Sequence, residues 1–467
     1  MADYTSVESS LTNVTSRSSF YSMLKDDYLP KLNDWINNGF DGEHIIAGDF
    51  MKKRGGMIGG RRSVAAVFTG NPQSVQFGLE GHILPIASSS TATQLDIIAR
   101  GLRYRLAFTE ESQMAAKKGN AAAWAAPKAA ELEMARNQLS NNVARNLHHG
   151  RYHPLGMLDS TSATTNLVFQ GINERRSTAA TFYNLGAKHV FTGMDVMLID
   201  VDDGLGGRIA YDISTTGALR SRVTATSKSS TTAPSCTVDN SLAGATYKNA
   251  AYQEGDLIVP YGSRRYAASY PSDATSIGHF ASFNGMVDFY ASSTLVPYVM
   301  GNTRSGVDGL TPQYLENSGT QQAFTKLMMH NLNRRIRDAT GKGVDTLLHG
   351  SEMFIEIAKE DFSGQRYDAV LGKSGWKGLS FVDNAVELKY REDAMCLPGV
   401  IWAYDSDQLG YFEQKELSAP PGYEGEHAVQ DYATSEVVAT KMGNVMCKRP
   451  QLGGGQDDLI FDCFNLT

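Results

Sequence analysis

Between residues 56 and 149 this chain alternates strand-like runs with glycine and turn residues, then passes directly into one long alanine-rich helix. Val64 to Phe68 is an apolar run, Val75, Phe77 and Leu79 alternate with polar residues, and Leu95 to Ala99 is a third run. Tyr104, Leu106 and Phe108 alternate with Arg103 and Arg105, as the two faces of a half-buried strand require. Gly70-Asn71-Pro72 and Ser88 to Ser90 supply the turns. An extended ribbon of this kind cannot build a core of its own. Its apolar side must be covered from elsewhere, and another copy of the same chain is the expected cover.

The rest of the composition is ordinary. A length of 467 residues suggests about two to four domains. A net charge of -7 and an isoelectric point near 5.8 argue against a dedicated nucleic-acid binder, while leaving room for a local basic patch. Met1-Ala2-Asp3-Tyr4 lacks the regions of a signal peptide, and no apolar run approaches the ~18 residues a bilayer span needs. Cys236, Cys396, Cys447 and Cys463 are scattered without a CxxC pair, so buried, reduced thiols in a cytoplasmic protein are expected.

The first 45 residues are Ser/Thr-rich, with Phe20, Leu24, Leu32, Trp35 and Ile36 as apolar anchors and Pro30 interrupting any continuous helix. They read as an arm that folds along something else. The following basic, glycine-rich stretch holds Lys52, Lys53, Arg54, Arg61 and Arg62 but lacks the GK[ST] of a phosphate-cradling loop. Thr109 with Glu110 and Glu111 predicts a helix start, and Gly119-Asn120 its stop. A second helix is predicted from Pro127 to Gly150, with Leu132, Ala135, Leu139, Val143 and Leu147 on one face. Its length would be roughly 33 Å.

Residues 165 to 265 are rich in Thr, Ser, Val and Gly. Strands are predicted at Val190 to Val201, Leu219 to Ala225 and Leu257 to Tyr261, with an exposed Ser/Thr loop from Thr224 to Ser235. Beyond them, a helix from Ser318 to Ala339 shows Phe324, Met328, Leu332 and Ile336 on one face. Arg334, Arg335 and Arg337 fill its last turn, and Gly341 closes it. A strand at Val344 to Leu348 leads to a short helix capped by Ser351 and ending at Ala358. Further strands are predicted at Val386 to Tyr390, Val400 to Tyr404, Thr434 to Cys447 and Leu459 to Phe464.

No motif nominates catalysis. Asp200 to Gly204 misses the calcium-loop register, since Leu205 stands at position six and Tyr211 at position twelve, and it reads as an acidic turn. His148, His149 and His153 have no HExxH spacing or cysteine partner, and are expected to meet the helix dipole. Thr340-Gly341-Lys342-Gly343 is not a P-loop, and GxSxG is absent. No enzyme activity, cofactor or metal is expected.

Taken in order, the elements resemble the major capsid proteins of tailed bacteriophages, whose Hong Kong 97-type fold is shared with encapsulin shells. The carrying stretches are Val64 to Pro85, Leu102 to Gly119 and Ala129 to Gly150, then Gly255 to Ser263, Phe283 to Tyr290, Val344 to Asp361 and Gly399 to Phe412. The resemblance implies an α+β chain with an N-terminal arm (1–45), an extended hairpin loop (46–108) and a peripheral domain with a spine helix (109–164). A β-rich insertion (165–265), an axial domain (266–430) and C-terminal strands returning to the peripheral domain (431–467) would complete it. The arm is too short for the ~100-residue scaffolding segment some members carry, and Lys52, Lys53 and Asn71 show no spacing that licenses a covalent cross-link.

The implied function is a shell of pentamers and hexamers forming an icosahedral virion head. It would assemble in the host cytoplasm without a membrane and enclose double-stranded DNA without reading its sequence. Scaffold, portal and decoration proteins would be separate chains. Lys52, Lys53, Arg54, Arg61 and Arg62 would make salt-sensitive contacts between copies, and Val75, Phe77 and Leu79 apolar ones. Leu132, Leu139, Val143 and Leu147 would form the core side of the spine helix. Two rival expectations are an encapsulin-type compartment with a protein cargo, and a soluble α+β enzyme with an insertion domain.

Overall fold

The computed structural model describes residues 36, 44–51, 54–55, 62–70, 91–109, 136–150, 153–159, 162, 165–170, 186–202, 208–210, 221–228, 234–239, 255–261, 282–292, 296, 298–300, 302–304, 307–315, 322–364, 380–383, 386–418, 427–428, 434–457 and 459. The arm anchors Phe20, Leu24, Leu32 and Trp35, together with Lys52, Lys53, Arg61, Val75, Phe77, Leu79, Leu132 and Cys463, lie outside the described residues. The chain divides into two compact units. One comprises Met1–Gly60, Ala99–Ala144 and Tyr411–Asn444, the other Arg61–Ile98, Arg145–Gly410 and Val445–Thr467.

In the first unit a short helix, Ile45–Met51, buries Ile46, Ala47, Phe50 and Met51. Its sheet runs Arg54–Gly55 (β1), Leu409–Ser418 (β19), Thr434–Cys447 (β21) and His427–Ala428 (β20), with Arg100–Thr109 (β4) also paired to β21. The β4–β21 register is unbroken from Thr109↔Thr434 to Arg100↔Gly443. Along β21 the strand period buries Ala439, Lys441 and Gly443 in alternation. Lys441 is the exception to an apolar inner face. Its fully buried ammonium pairs with Glu413 on β19 and lies 5.3 Å from the centre of the Tyr411 ring. Removing one member would leave an uncompensated buried charge, so the pair is tied to this register of the two strands.

The second unit contains a seven-stranded sheet in the order Gly156–Met157 (β5), Leu257–Pro260 (β11), Asp195–Asp202 (β7), Ser221–Ser227 (β9), Ser235–Val238 (β10) and Asn166–Val168 (β6), with Arg208–Ala210 (β8) paired to β7. Leu158, Leu167, Phe169, Val196, Val223 and Ile258 are among the residues of its core. The expected Ser/Thr loop is corrected here. Thr224 to Ser227 continue β9 and Ser235 opens β10, because buried Val223 sets the strand period and Thr224 Oγ1 donates to the Thr237 carbonyl at 3.1 Å. β7 begins at Asp195, later than Val190, and the sheet reaches back to Gly156, ahead of the boundary expected at 165.

A six-stranded sheet in the same unit runs Gln313–Leu315 (β14), Gly453–Gln456 (β22), Ile401–Tyr404 (β18), Thr346–His349 (β15), Val386–Glu392 (β17) and Ser380–Asp383 (β16). β18 and β15 are buried along their whole length, as their near-continuous apolar sequences require. Met329, Leu332 and Ile336 from the helix Lys326–Thr340 and Met353 and Ile357 from the helix Ser351–Gly364 pack with Leu347, Leu388 and Ile401.

Both helices correct their predicted limits. The first starts at Lys326 after an extended Thr325, so Phe324 packs into the core from outside the helix. The second continues to Gly364 because Lys359 to Phe362 contains no breaker, and Ser351 is its first residue instead of its cap. Gly341 ends the first helix at φ 77, a left-handed position where glycine carries no Cβ penalty.

The expected C-terminal segment 431–467 also divides. β21 lies in the sheet of the first unit, whereas β22 is an inner strand of the six-stranded sheet. Its glycines are dictated by close approach: a Cβ on Gly454 would collide with the Gln313 carbonyl on β14, and one on Gly455 with the Trp402 ring. Gly454→Ala is therefore expected to lower unfolding free energy by about 1–3 kcal/mol through forced displacement of β14. The midpoint of urea unfolding measures this, and an unchanged midpoint would mean that β14 yields freely.

Candidate assembly site

Arg62–Gly70 (β2) and Thr91–Ile98 (β3) form an antiparallel two-stranded sheet, with Arg62 opposite Ile98 and Gly70 opposite Thr91. Cross-strand partners and alternate residues along a strand share a face, so Val67, Thr93, Leu95 and Ile97 point the same way. Val67, Leu95 and Ile97 on that face are buried. This corrects the expectation that the ribbon has nothing intramolecular to bury against. Its base is buried within the chain.

Polar contacts fix the base as well. Tyr298–Val299 (β12) and Asn302–Thr303 (β13) form a small hairpin in which Met300 takes φ 43, an uncommon conformation for a residue with a Cβ. The Met300 carbonyl accepts the Asp96 backbone N–H at 3.0 Å, and Asn302 Nδ2 donates to the Gln94 carbonyl at 2.7 Å. Two backbone groups on β3 that would otherwise face water are thereby satisfied. Sequence reasoning missed Met300 and Asn302, since neither lies in a patterned segment. Leu95→Ala is expected to cost about 2–5 kcal/mol and to increase protease cleavage within residues 71–90. Equilibrium unfolding and limited proteolysis check it, and wild-type behaviour in both would show that the base is not held by this face.

The long helix is described over residues 136–149. Leu139 and Val143 are buried in its first part and Leu147 in its last turn. That last turn belongs to the second unit and is buried around polar groups. Asn146 Nδ2 donates to the Gly150 carbonyl at 3.0 Å, and Asn146 Oδ1 accepts the Phe283 N–H at 2.9 Å. Gly285 approaches so closely that a Cβ would strike the Leu147 carbonyl. The next short helix, Met286–Tyr290, is tied in by fully buried Arg304, whose guanidinium donates to the Ala291 carbonyl at 2.8 Å and to the Asp288 carbonyl.

The three histidines His148, His149 and His153 at and beyond the helix C-terminus are buried. His148 Nε2 lies 3.2 Å from the Asp393 carboxylate with both side chains fully buried. Arg145 Nε donates to His153 Nε2 at 3.2 Å, and His149 packs edge-on against His189 with ring centres 5.6 Å apart. Burial lowers the Arg145 pKa to about 10. Burial, with Arg145 adding to it, holds His149 and His153 well below the usual histidine range, and burial with His149 does the same for His189. Neutral imidazoles in the fold and protonatable ones in the unfolded chain mean that stability is full above about pH 6.5 and declines as pH falls. Each histidine contributes a slope of up to about 1.4 kcal/mol per pH unit. Thermal unfolding followed from pH 7.5 to 5.0 should therefore show a falling midpoint, with a shallower fall in His189→Phe. Identical slopes would mean that His189 titrates alike in both states.

Of the other residues singled out from sequence, Arg54 pairs through its backbone with Tyr411 in parallel β1–β19, and Arg62 opens β2 opposite Ile98. They belong to different units. Cys236, Cys396 and Cys447 are buried and free, and burial pushes the Cys236 thiol up to about 12 and that of Cys447 to about 11. Among the described residues no group of three potential ligands could hold a metal ion, and no helix is long and apolar enough to cross a membrane.

No protein-family model matches the chain, and no curated protein does. Among solved structures it is similar to the capsid asymmetric unit of cyanophage A-1(L), at 8% identity and a TM-score of 0.43 over 86% of this chain and 90% of that one. It is similar to a structure from Mycobacterium phage Ogopogo at 8% identity and a TM-score of 0.39, over 88% and 91% of the two chains. A third, the capsid of a native GTA particle, matches at 7% identity and a TM-score of 0.36, over 87% of each chain.

Proposed function

We propose that this chain is the major capsid protein of a tailed double-stranded DNA phage, assembling as pentamers and hexamers into an icosahedral head. The observation that carries the reading is the β2–β3 ribbon. Among the described residues it pairs with no further strand, and its anchored base leads into residues 71–90, where Val75, Phe77 and Leu79 supply an alternating apolar side. A two-stranded hairpin is marginal alone in water, so a ribbon rooted in its own subunit gains stability from a cover beyond it. A neighbouring copy would supply that cover, and Lys52, Lys53, Arg54, Arg61 and Arg62 near the root would add salt-sensitive contacts.

In this reading the helix around residues 136–149 is the spine, with Leu132, Leu139, Val143 and Leu147 on its core side. The seven-stranded sheet is the β-rich insertion. The six-stranded sheet and its two helices form the axial domain. The enclosed DNA would be held without sequence recognition, consistent with a chain of net charge -7.

Because Gly70 and Thr91 are already cross-strand partners, residues 71–90 can be exchanged for a two-residue Asn-Gly turn without disturbing the base. The variant is expected to be folded, with unchanged circular dichroism, and to stop at monomers or isolated capsomers in size-exclusion chromatography and negative-stain microscopy. Closed shells of wild-type diameter from this variant would overturn the assignment.

A further inference from the structure

The helix Lys326–Thr340 holds four basic residues, Lys326, Arg334, Arg335 and Arg337, against the single acid Asp338. It walls a cavity of about 380 Å³ beside β14, the edge strand of the six-stranded sheet. Leu315 and Met328 form its apolar part, and Gln322, Asn331, Arg334 and Arg335 bring polar groups to it. Among the described residues no acidic one lines it. Among the described residues, Arg335 has no ion-pair or hydrogen-bond partner, and the same holds for the side chains of Asn331 and Gln322. Arg334 reaches Asp338 only at 3.7 Å, with both side chains largely exposed, an arrangement that contributes little.

We infer that this cavity is a phosphate-binding site that contacts the backbone of the packaged DNA. The guanidiniums and side-chain amides that line it are donors of the kind an oxyanion accepts from, and arginine suits phosphate better than lysine. The apolar part beside them suits a phosphate that carries an attached sugar and disfavours a bare hydrated ion. Charge decides the class of ligand. A chain of net charge -7 repels a polyanion as a whole, so contact with DNA has to be made through a local basic face, and this helix supplies one. The contact would be weak and blind to sequence, since only phosphate is read.

The inference rests on the capsid reading, and its test is kept separate from assembly. Full-length protein, isolated as unassembled capsomers, is titrated against a fluorescently labelled 20-base-pair duplex at 50 and 200 mM salt, with fluorescence anisotropy as readout. Wild type is compared with Arg335→Gln and with Arg334→Gln/Arg335→Gln, each checked for unchanged thermal unfolding. Loss of two phosphate contacts should reduce the slope of log affinity against log salt by about 1.8 and weaken binding at 50 mM salt at least about tenfold. Inorganic phosphate at 10 mM should leave duplex binding intact; full displacement would mean that free phosphate is the ligand and would overturn the DNA assignment. Equal affinity and slope in wild type and the double variant would overturn the site itself. Loss of shells in the double variant with DNA binding unchanged would show a carboxylate of a neighbouring copy in the cavity, and would overturn the inference while leaving the capsid reading in place. Failure of the wild type to form shells would count against the capsid reading alone.

Discussion

A two-stranded ribbon has two open edges and two faces, and its own hydrogen bonds satisfy only the line between its strands. Everything proposed for this chain depends on how that deficit is met. At the base, Val67, Leu95 and Ile97 are buried, and the Met300 carbonyl and Asn302 amide satisfy groups on the edge of β3. The ribbon is therefore rooted, which a mobile loop would not be.

Polar burial recurs where elements must meet in one arrangement. Asn146 joins the end of the long helix to Phe283, Arg304 holds the carbonyls of Asp288 and Ala291, and the Lys441–Glu413 ion pair links two strands. Each group would be costly to leave unpaired, so slippage of the elements is penalised more steeply than by apolar packing alone. The histidines around Arg145 follow a related logic. They are kept neutral by burial, and the fold is consequently sensitive to acid at a point where several segments converge.

Much of the element pattern was legible in residue order. The span Thr434 to Cys447 was expected as a strand and is one, and the runs around Val64, Leu95 and Tyr104 lie on three separate strands. The period of alternation is local, so sequence records it. Limits were less legible where neighbours decide them. Phe324 continues the i, i+4 pattern of the following helix, yet the backbone is extended at Thr325, because core packing rewards Phe324 equally from outside the helix. The Ser/Thr stretch after Val223 looked like a loop by composition, but threonine is β-branched and cross-strand partners claimed it.

By itself the sequence determined where many strands and helices lie and that the ribbon needs cover from outside its two strands, because both follow from periodicity and apolar content. Tertiary structure decided which strands share a sheet: β3 and β4 are adjacent in sequence, yet one pairs with β2 and the other with β21. It also decided that Lys441, Arg304 and histidines such as His148, His149 and His153 belong inside. Pairing and polar burial depend on partners far away in the chain, and the free energy of a buried charge is set by the groups that surround it, which no local window of residues contains.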